Sequence, residues 1–473
     1  MDVHRELCHG RVFMLHQVVY EKLVKKCPEA VMIRATLENA LPPTFVDDVF
    51  ARVASKQYTR SLLFSTLVRL LSLVVCRVKP AVFSAYQAME GEISVRAKSV
   101  YNKLNGTETQ VAEALVCESA QRMAAVIDEM KAPLRPLVPG YSTRILDGNH
   151  LAATEHRIGP LRKMGGGALP GQGLVVYDGD RGMIRQTYLC EDGHAQEREI
   201  LVELMGQITA GELWIADRNF ATSTFMWQVH ASQAFFIVRR HGNNGRLCET
   251  GAWCPAGECE TGTIEERAAV IEDGFGNEFT ARLIRVRLKS PTRDGDLEIE
   301  LISHLPASVS AVTIAAAYRQ RWRIETAFAE LDRVFEGEIA SLGNPKAALL
   351  AFSLSLVAYN TLAVFQAAMR KVYGEEKVTN EVSSYYVGLS TSSSWSAMEL
   401  FTDPEAWTEQ FADLSPKKMA MTLINLAGQV DLRKIKKHPR GPKKKQPRRT
   451  SAKKDNHFST AQVLARRKAK RKS

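Results

Sequence analysis

Residues 313–334, TIAAAYRQRWRIETAFAELDRV, decide how the rest of the chain is read. The stretch predicts one helix. Ser310 or Thr313 offers a hydroxyl to cap it, Ala315, Ala316 and Ala317 favour it, and neither Pro nor Gly interrupts it. Side chains three and four apart share a helix face. Tyr318, Arg321 and Glu325 therefore form one stripe, and Ile324, Phe328 and Leu331 form an adjacent apolar stripe that would seat the helix on a core. An acid beside an arginine on a packed helix suits a metal ion and a phosphate ester together. The same pattern also describes a solvated face with an ordinary Arg–Glu pair.

Two further carboxylates narrow that choice. Asp147 follows the apolar run in RILDGNHL, and Asp217 ends the run in LWIADRNF. Strands are expected at 143–146, 173–177, 184–188, 213–216 and 235–238, with helices at 197–205 and 223–230. That order, three strands, helix, strand, helix, strand, is the order of an RNase H-like α/β domain: a mixed sheet flanked by helices. Carboxylates beyond the carboxyl ends of its strands lie where ligands bind in such sheets.

With these motifs in place, the chain resembles the DDE transposases of bacterial insertion sequences, the group with the Tyr-x2-Arg-x3-Glu-x6-Lys signature. Tyr318, Arg321 and Glu325 fit that spacing, Trp322 completes the usual Arg-Trp pair, and Asp217 to Phe220 fits the Asp-x-x-Phe pattern. The last signature position is Asp332 instead of Lys, with Arg333 adjacent. The resemblance spans roughly residues 140–370 and implies Asp147, Asp217 and Glu325 as catalytic metal ligands. They would hold two Mg²⁺ ions, or Mn²⁺ in their place, for in-line phosphodiester displacement. It further implies that Arg321 clamps a phosphate, Tyr318 hydrogen-bonds nearby, Trp322 shapes the site and Arg333 substitutes for the missing Lys. The expected function is cut-and-paste transposition of an insertion sequence. DNA would be the partner, as the element's terminal repeats and as target, with a homodimer in the synaptic complex. The alternatives are an RNase H-like nuclease and a catalytically inactive, host-adopted DNA binder.

Charge is unevenly spread. The 473 residues carry +11, but residues 433–473 hold 18 Lys or Arg against Asp455 alone, leaving the preceding 432 residues at −6. The tail reads as disordered and basic, able to neutralise phosphates without reading sequence, or simply solvated. Hydrophobic residues at 45% fit a globular chain of several domains. The eight cysteines show no disulfide framework, which suits a reducing cytosol, and Cys248, Cys254 and Cys259 are spaced too widely for a typical zinc site. The beginning shows no signal-peptide pattern, so a cytoplasmic, nucleoid-associated protein is expected. The apolar run 347–369 contains Ser353, Ser355, Asn360, Thr361 and Gln366. It reads as a buried helix opened by Asn344-Pro345 in preference to a membrane span.

Residues 1–130 read as a helical domain. Within it, residues 80–108 fit a helix-turn-helix whose second helix, capped by Ser94, offers Arg96, Lys98 and Lys103 to DNA, or else a plain amphipathic pair. Residues 131–140 form a Pro-rich linker to the catalytic region, 141–372. A β-rich insertion is expected at about 240–305; its alternating arginines line DNA or mark a wet face. Residues 373–432 read as a C-terminal helical region with a Ser-rich connection at TSSSWS.

Overall fold

A computed structural model describes residues 17–57, 61–240, 242, 246–273, 275–292, 295–438, 441 and 457–470. Cys8, the other residues before 17 and most of the basic tail lie outside the described residues. After helical residues 17–26 come α1 (Pro28–Ala40), α2 (Pro43–Val53), α3 (Phe64–Val75), α4 (Val82–Ala88), α5 (Ala97–Gly106) and α6 (Thr109–Met130). The region expected to be catalytic follows with β1 (Ser142–His150), β2 (Gly167–Leu169), β3 (Gln172–Asp178), β4 (Met183–Cys190), α7 (Glu197–Met205), β5 (Glu212–Ala216), α8 (Ser223–Ala231) and β6 (Phe235–Arg239). Next come β7 (Leu247–Cys259), β8 (Gly262–Glu272), β9 (Glu278–Leu288), β10 (Glu298–Ser303), α9 (Ala311–Arg319), α10 (Trp322–Val334) and α11 (Pro345–Tyr373). The chain then forms α12 (Glu375–Glu381), α13 (Ser384–Phe401), α14 (Pro404–Phe411), α15 (Pro416–Ala427), β11 (His457–Ser459) and α16 (Thr460–Lys470).

The main sheet has nine strands in the order β4-β3-β1-β5-β6-β10-β9-β8-β7. The first three pair antiparallel, β5 and β6 run parallel to β1, and the remainder return to antiparallel pairing. This is the RNase H-like arrangement, with the insertion fused onto its edge. Apolar residues cover both faces of β1 and β5, as a sheet buried between two helical layers requires. Ile145 and Ile215 face the helices from both ends of the chain, whereas Leu146, Trp214 and Ala216 face α7 and α8.

The helix α11 is the centre of the larger layer. Asn344 caps it by accepting from the Lys346 N–H at 3.1 Å, with Pro345 in the first turn. It is long and apolar enough to cross a membrane, and its most apolar window is wholly buried in the fold. Asn360 on this helix accepts from the Ile184 N–H and donates to the Ile184 carbonyl, both at 2.7 Å, fixing the helix to β4.

Four features differ from the expectations. The 313–334 stretch is two helices, because the N–H groups of Gln320, Arg321, Arg323 and Ile324 each bond three residues back, a local 3-10 tightening. Residues 1–130 are not a detached domain. Their buried residues join one core with α11, α13 and α15, and Asn39 of α1 donates to the Phe411 carbonyl at 2.8 Å. TSSSWS lies inside α13, where Ser392 and Ser393 bond back to carbonyls three residues earlier and Trp395 is buried. The tail is ordered at its far end: β11 and α16 fold back onto β2.

Candidate active site

The register of β1 on β5 does most of the assembly. Leu146 pairs with Ala216 across parallel strands, so Asp147 and Asp217 are the next residues on neighbouring chains. Parallel neighbours lie about 4.8 Å apart, which brings the two carboxylates to one spot. Asp147 follows Ile145 in pointing to the helix-covered face where α10 packs. Asp217 opens a single 3-10 turn, Arg218–Phe220, and accepts from the Asn219 N–H at 2.5 Å. Phe220, fully buried, anchors that turn below the site.

Glu325 arrives from α10, and Arg321 ties it in. The Arg321 guanidinium donates to Asp147 Oδ2 at 2.9 Å through Nη1 and to Glu325 through Nη2. Burial works against the Arg321 charge, yet Asp147, Tyr318 and Glu325 hold its pKa above the usual value. Asp147 shows the opposite balance. Burial pushes its carboxyl up to about 7; Arg321 opposes this, while Asp217, Glu325 and Glu197 add to it. Burial also raises the Tyr318 phenol to about 12, with Arg321 and Asp217 close by. Trp322 is 64% exposed at the mouth, 5.8 Å from the Arg321 guanidinium.

A fourth carboxylate was not anticipated. Glu197 begins α7 on the other face of the sheet, and it reaches the site because residue 148 is glycine. A Cβ there would lie 2.1 Å from Glu197 Oε1. Glu197 also receives Asn219 Nδ2 at 3.4 Å, and His150 Nε2 lies 3.7 Å away. A glutamate in a first helical turn is common for dipole reasons, so only the glycine two residues after Leu146 hinted at it.

Other acids and a histidine of the same region lie apart from this group. Asp178 and Asp180 lie at the opposite end of β1, beside buried Arg144, at 3.5 and 3.9 Å. Glu330 pairs with Arg333 at 3.3 Å. Asp332 is exposed, and its carbonyl and that of Arg333 receive the Arg77 guanidinium, which thereby sits at the negative end of α10. His194 is exposed outside the carboxylate group. Lys103 is turned inward: its ammonium donates to the Leu62 carbonyl at 2.9 Å and lies 4.6 Å from the Phe50 ring centre, so the structure removes it from the expected DNA face. Arg96 and Lys98 remain exposed. The arginines of the insertion pair with its own acids, Arg239 with Asp296, Arg240 and Arg285 with Glu300 and Arg282 with Glu266, which makes them a self-neutralised face.

The donor set is all carboxylate oxygen, the chemistry that Mg²⁺ and Mn²⁺ select. Asp147 and Asp217 lie at adjacent strand ends and Glu325 is held to Asp147 through the single guanidinium of Arg321, so the residues fit a divalent cation. Among the described residues no three such side chains are already gathered in ligating geometry. Arg321 lies between two of them instead. A cavity of about 440 Å³ lies elsewhere, bordered by Arg34, Glu38, Arg69 and Trp395. Asp147, Asp217 and Glu325 are each partly exposed at the strand ends.

Comparison with known proteins agrees with this geometry. Residues 139–361 match the family described as "Transposase DDE domain". No curated protein matches the chain. Among solved structures, the piggyBac transposase synaptic complex with hairpin DNA, determined by cryo-electron microscopy, is similar at 8% identity and a TM-score of 0.40, over 81% of this chain and 84% of that one. Residues 139–361, just under half of the chain, thus carry a DDE transposase domain, the domain of enzymes that cleave DNA and transfer its strands.

Proposed function

We propose that the protein cuts and pastes its own insertion sequence by divalent-metal-dependent phosphodiester hydrolysis followed by strand transfer. The observation that carries this reading is the side-by-side placement of Asp147 and Asp217 at parallel strand ends, with Glu325 drawn to them through Arg321. Asp147, Asp217 and Glu325 would hold two Mg²⁺ or Mn²⁺ ions, whose bound charge would activate water or a 3′-hydroxyl and stabilise the leaving oxygen. Arg321, once released from one carboxylate, presents a planar fork that suits a phosphate. Tyr318 orients Arg321 from the buried side. The exposed ring of Trp322 offers a stacking surface to an unpaired base. Arg96 and Lys98 on α5 and Arg333 on α10 supply contacts to DNA backbone. The working unit is a homodimer holding two element ends, in the cytoplasm beside the nucleoid.

The test uses the purified full-length chain with DNA carrying the flanks of its own gene, in Mg²⁺ or Mn²⁺. Wild type is expected to cut at the ends and form joined products. Asp217→Asn and Glu325→Gln are expected to bind and not cut. Equal cutting by all three proteins would sink the site assignment. End binding without cutting in either metal would favour an inactive, DNA-binding relative, and Asp332→Lys would then be the informative variant.

A further inference from the structure

One basic element stands apart from the site just described. β11 adds in parallel to β2, with Phe458 opposite Ala168. The segment carrying β2 continues directly from β1, and Thr154 pairs with Ala168 inside it. The Phe458 ring lies 5.7 Å from His156, and Gln462 donates to Asp192 Oδ2 at 2.8 Å. Asp192 follows β4. Because β4 and β1 both run antiparallel to β3, Asp192 lies at the same end of the sheet as Asp147. The chain end is thus seated on the rim that carries the chemistry.

What it seats there is α16. Asp192 bonds Gln462 in the first turn, where an acid complements the helix dipole. Arg466, Arg467, Lys468 and Lys470 follow, all exposed, and the helix contains no acid. Arg466 and Lys470 sit four apart and Arg467 and Lys470 three apart, like-charge spacings that disfavour a helix. A polyanion removes that cost. The helix of 11 residues is about 16 Å long, enough to follow a groove edge past several phosphates. Arg162 and Lys163 are exposed on the same β2 segment.

We propose that β11 and α16 form a docked clamp on the DNA backbone, in which strand addition to β2 fixes the basic helix against the duplex flanking the cleaved bond. The identity of the polyanion rests on the transposition reading; the docking geometry does not.

The experiment measures binding of the full-length protein to labelled duplexes across a salt series without catalytic metal. One duplex carries the element's ends and one is unrelated. The triple variant Arg466→Gln, Arg467→Gln, Lys468→Gln is compared with Phe458→Pro, which removes the ring and a strand N–H but no charge. Each lost phosphate contact makes the slope of log affinity against log salt shallower by about 0.9, so the triple variant is expected to lose roughly 2–3 units on both duplexes. Phe458→Pro is expected to lose slope as well, since its helix is no longer held. An unchanged slope in the triple variant shows that α16 touches no phosphate and overturns the clamp. Wild-type binding by Phe458→Pro overturns the docking, leaving a free polycation. A chain that shows both losses yet never cuts its ends refutes transposition and leaves the clamp standing. One that cuts while both slopes stay fixed does the reverse.

Discussion

Replacing Arg321 with Met should make the site bind divalent cations more tightly while making the cation-free protein less stable. In the structure the guanidinium holds Asp147 at 2.9 Å and also holds Glu325, and its side chain is 11% exposed. Removing one partner of a buried ion pair typically costs about 3–5 kcal/mol. Glu325 is a third exposed, so water recovers part of that and about 2–3 kcal/mol is the reasonable expectation here. The same bonds oppose a cation in the wild type. A cation bridging Asp147 and Glu325 must displace two charge-assisted hydrogen bonds, each worth about 1.5–3 kcal/mol. Even when half of that is regained by rehydrating the guanidinium, the opposition is about 1.5–3 kcal/mol, or roughly ten- to a hundredfold in affinity. Calorimetric titration of Mg²⁺, Mn²⁺ and Ca²⁺ into both proteins, with thermal melts at each cation level, reads both effects. Arg321→Met should melt lower without cation, gain more on adding it and show the larger binding constant, while cutting less because the phosphate clamp is gone. If Arg321→Met binds cations no more tightly than wild type, Arg321 is not competing for the carboxylates and the assignment of Asp147 and Glu325 as a shared cation site fails.

Other outcomes follow from the same geometry. Lys103→Met should leave the salt dependence of DNA binding unchanged and lower stability by about 1–2 kcal/mol, because the ammonium serves Leu62 and Phe50; Lys98→Gln should lower the slope, and the reverse pattern would restore Lys103 to the DNA face. Glu113 is buried beside β4, which pushes its carboxyl from 4.5 up to about 7. Its proton therefore stabilises the fold fully below pH 4.5 and is lost as pH rises through about 7, so Glu113→Gln, which keeps the acceptor for the Leu189 N–H, should gain about 3 kcal/mol above pH 7 and little at low pH. Denaturant midpoints that shift equally at both ends of that range would contradict this. Glu197→Gln should weaken cation binding by about tenfold, in the range that groups just outside a ligand set command, and unchanged calorimetric affinity would place Glu197 outside the site.

How much of this was legible depends on whether the deciding force is local. Asp147 and Asp217 could be found because an acid directly after a buried apolar run is costly unless a ligand uses it, and the parallel register then made them neighbours. The break at Gln320 could not be found. Every residue from Ala315 to Leu331 is compatible with continuous helix, and the tightening falls where Arg321 is drawn to Asp147 and Glu325. Lys103 misled for a related reason: a lysine on an amphipathic helix looks the same whether its ammonium meets a phosphate or a carbonyl on a neighbouring loop. The β7–β8 hairpin was hidden by its glycines, Gly251 and Gly257, which take positive φ and break the alternation of an otherwise long ladder. The chain end was the most deceptive, since its composition describes disorder and is correct about the absence of an apolar core. What orders residues 457–470 is main-chain pairing with β2, which needs an exposed edge and not a hydrophobic pattern. Composition reports what a segment can bury, whereas an edge strand accepts a partner through its backbone. A basic segment can therefore lack a core of its own and still be held at a defined place, at the end of the sheet that carries Asp147.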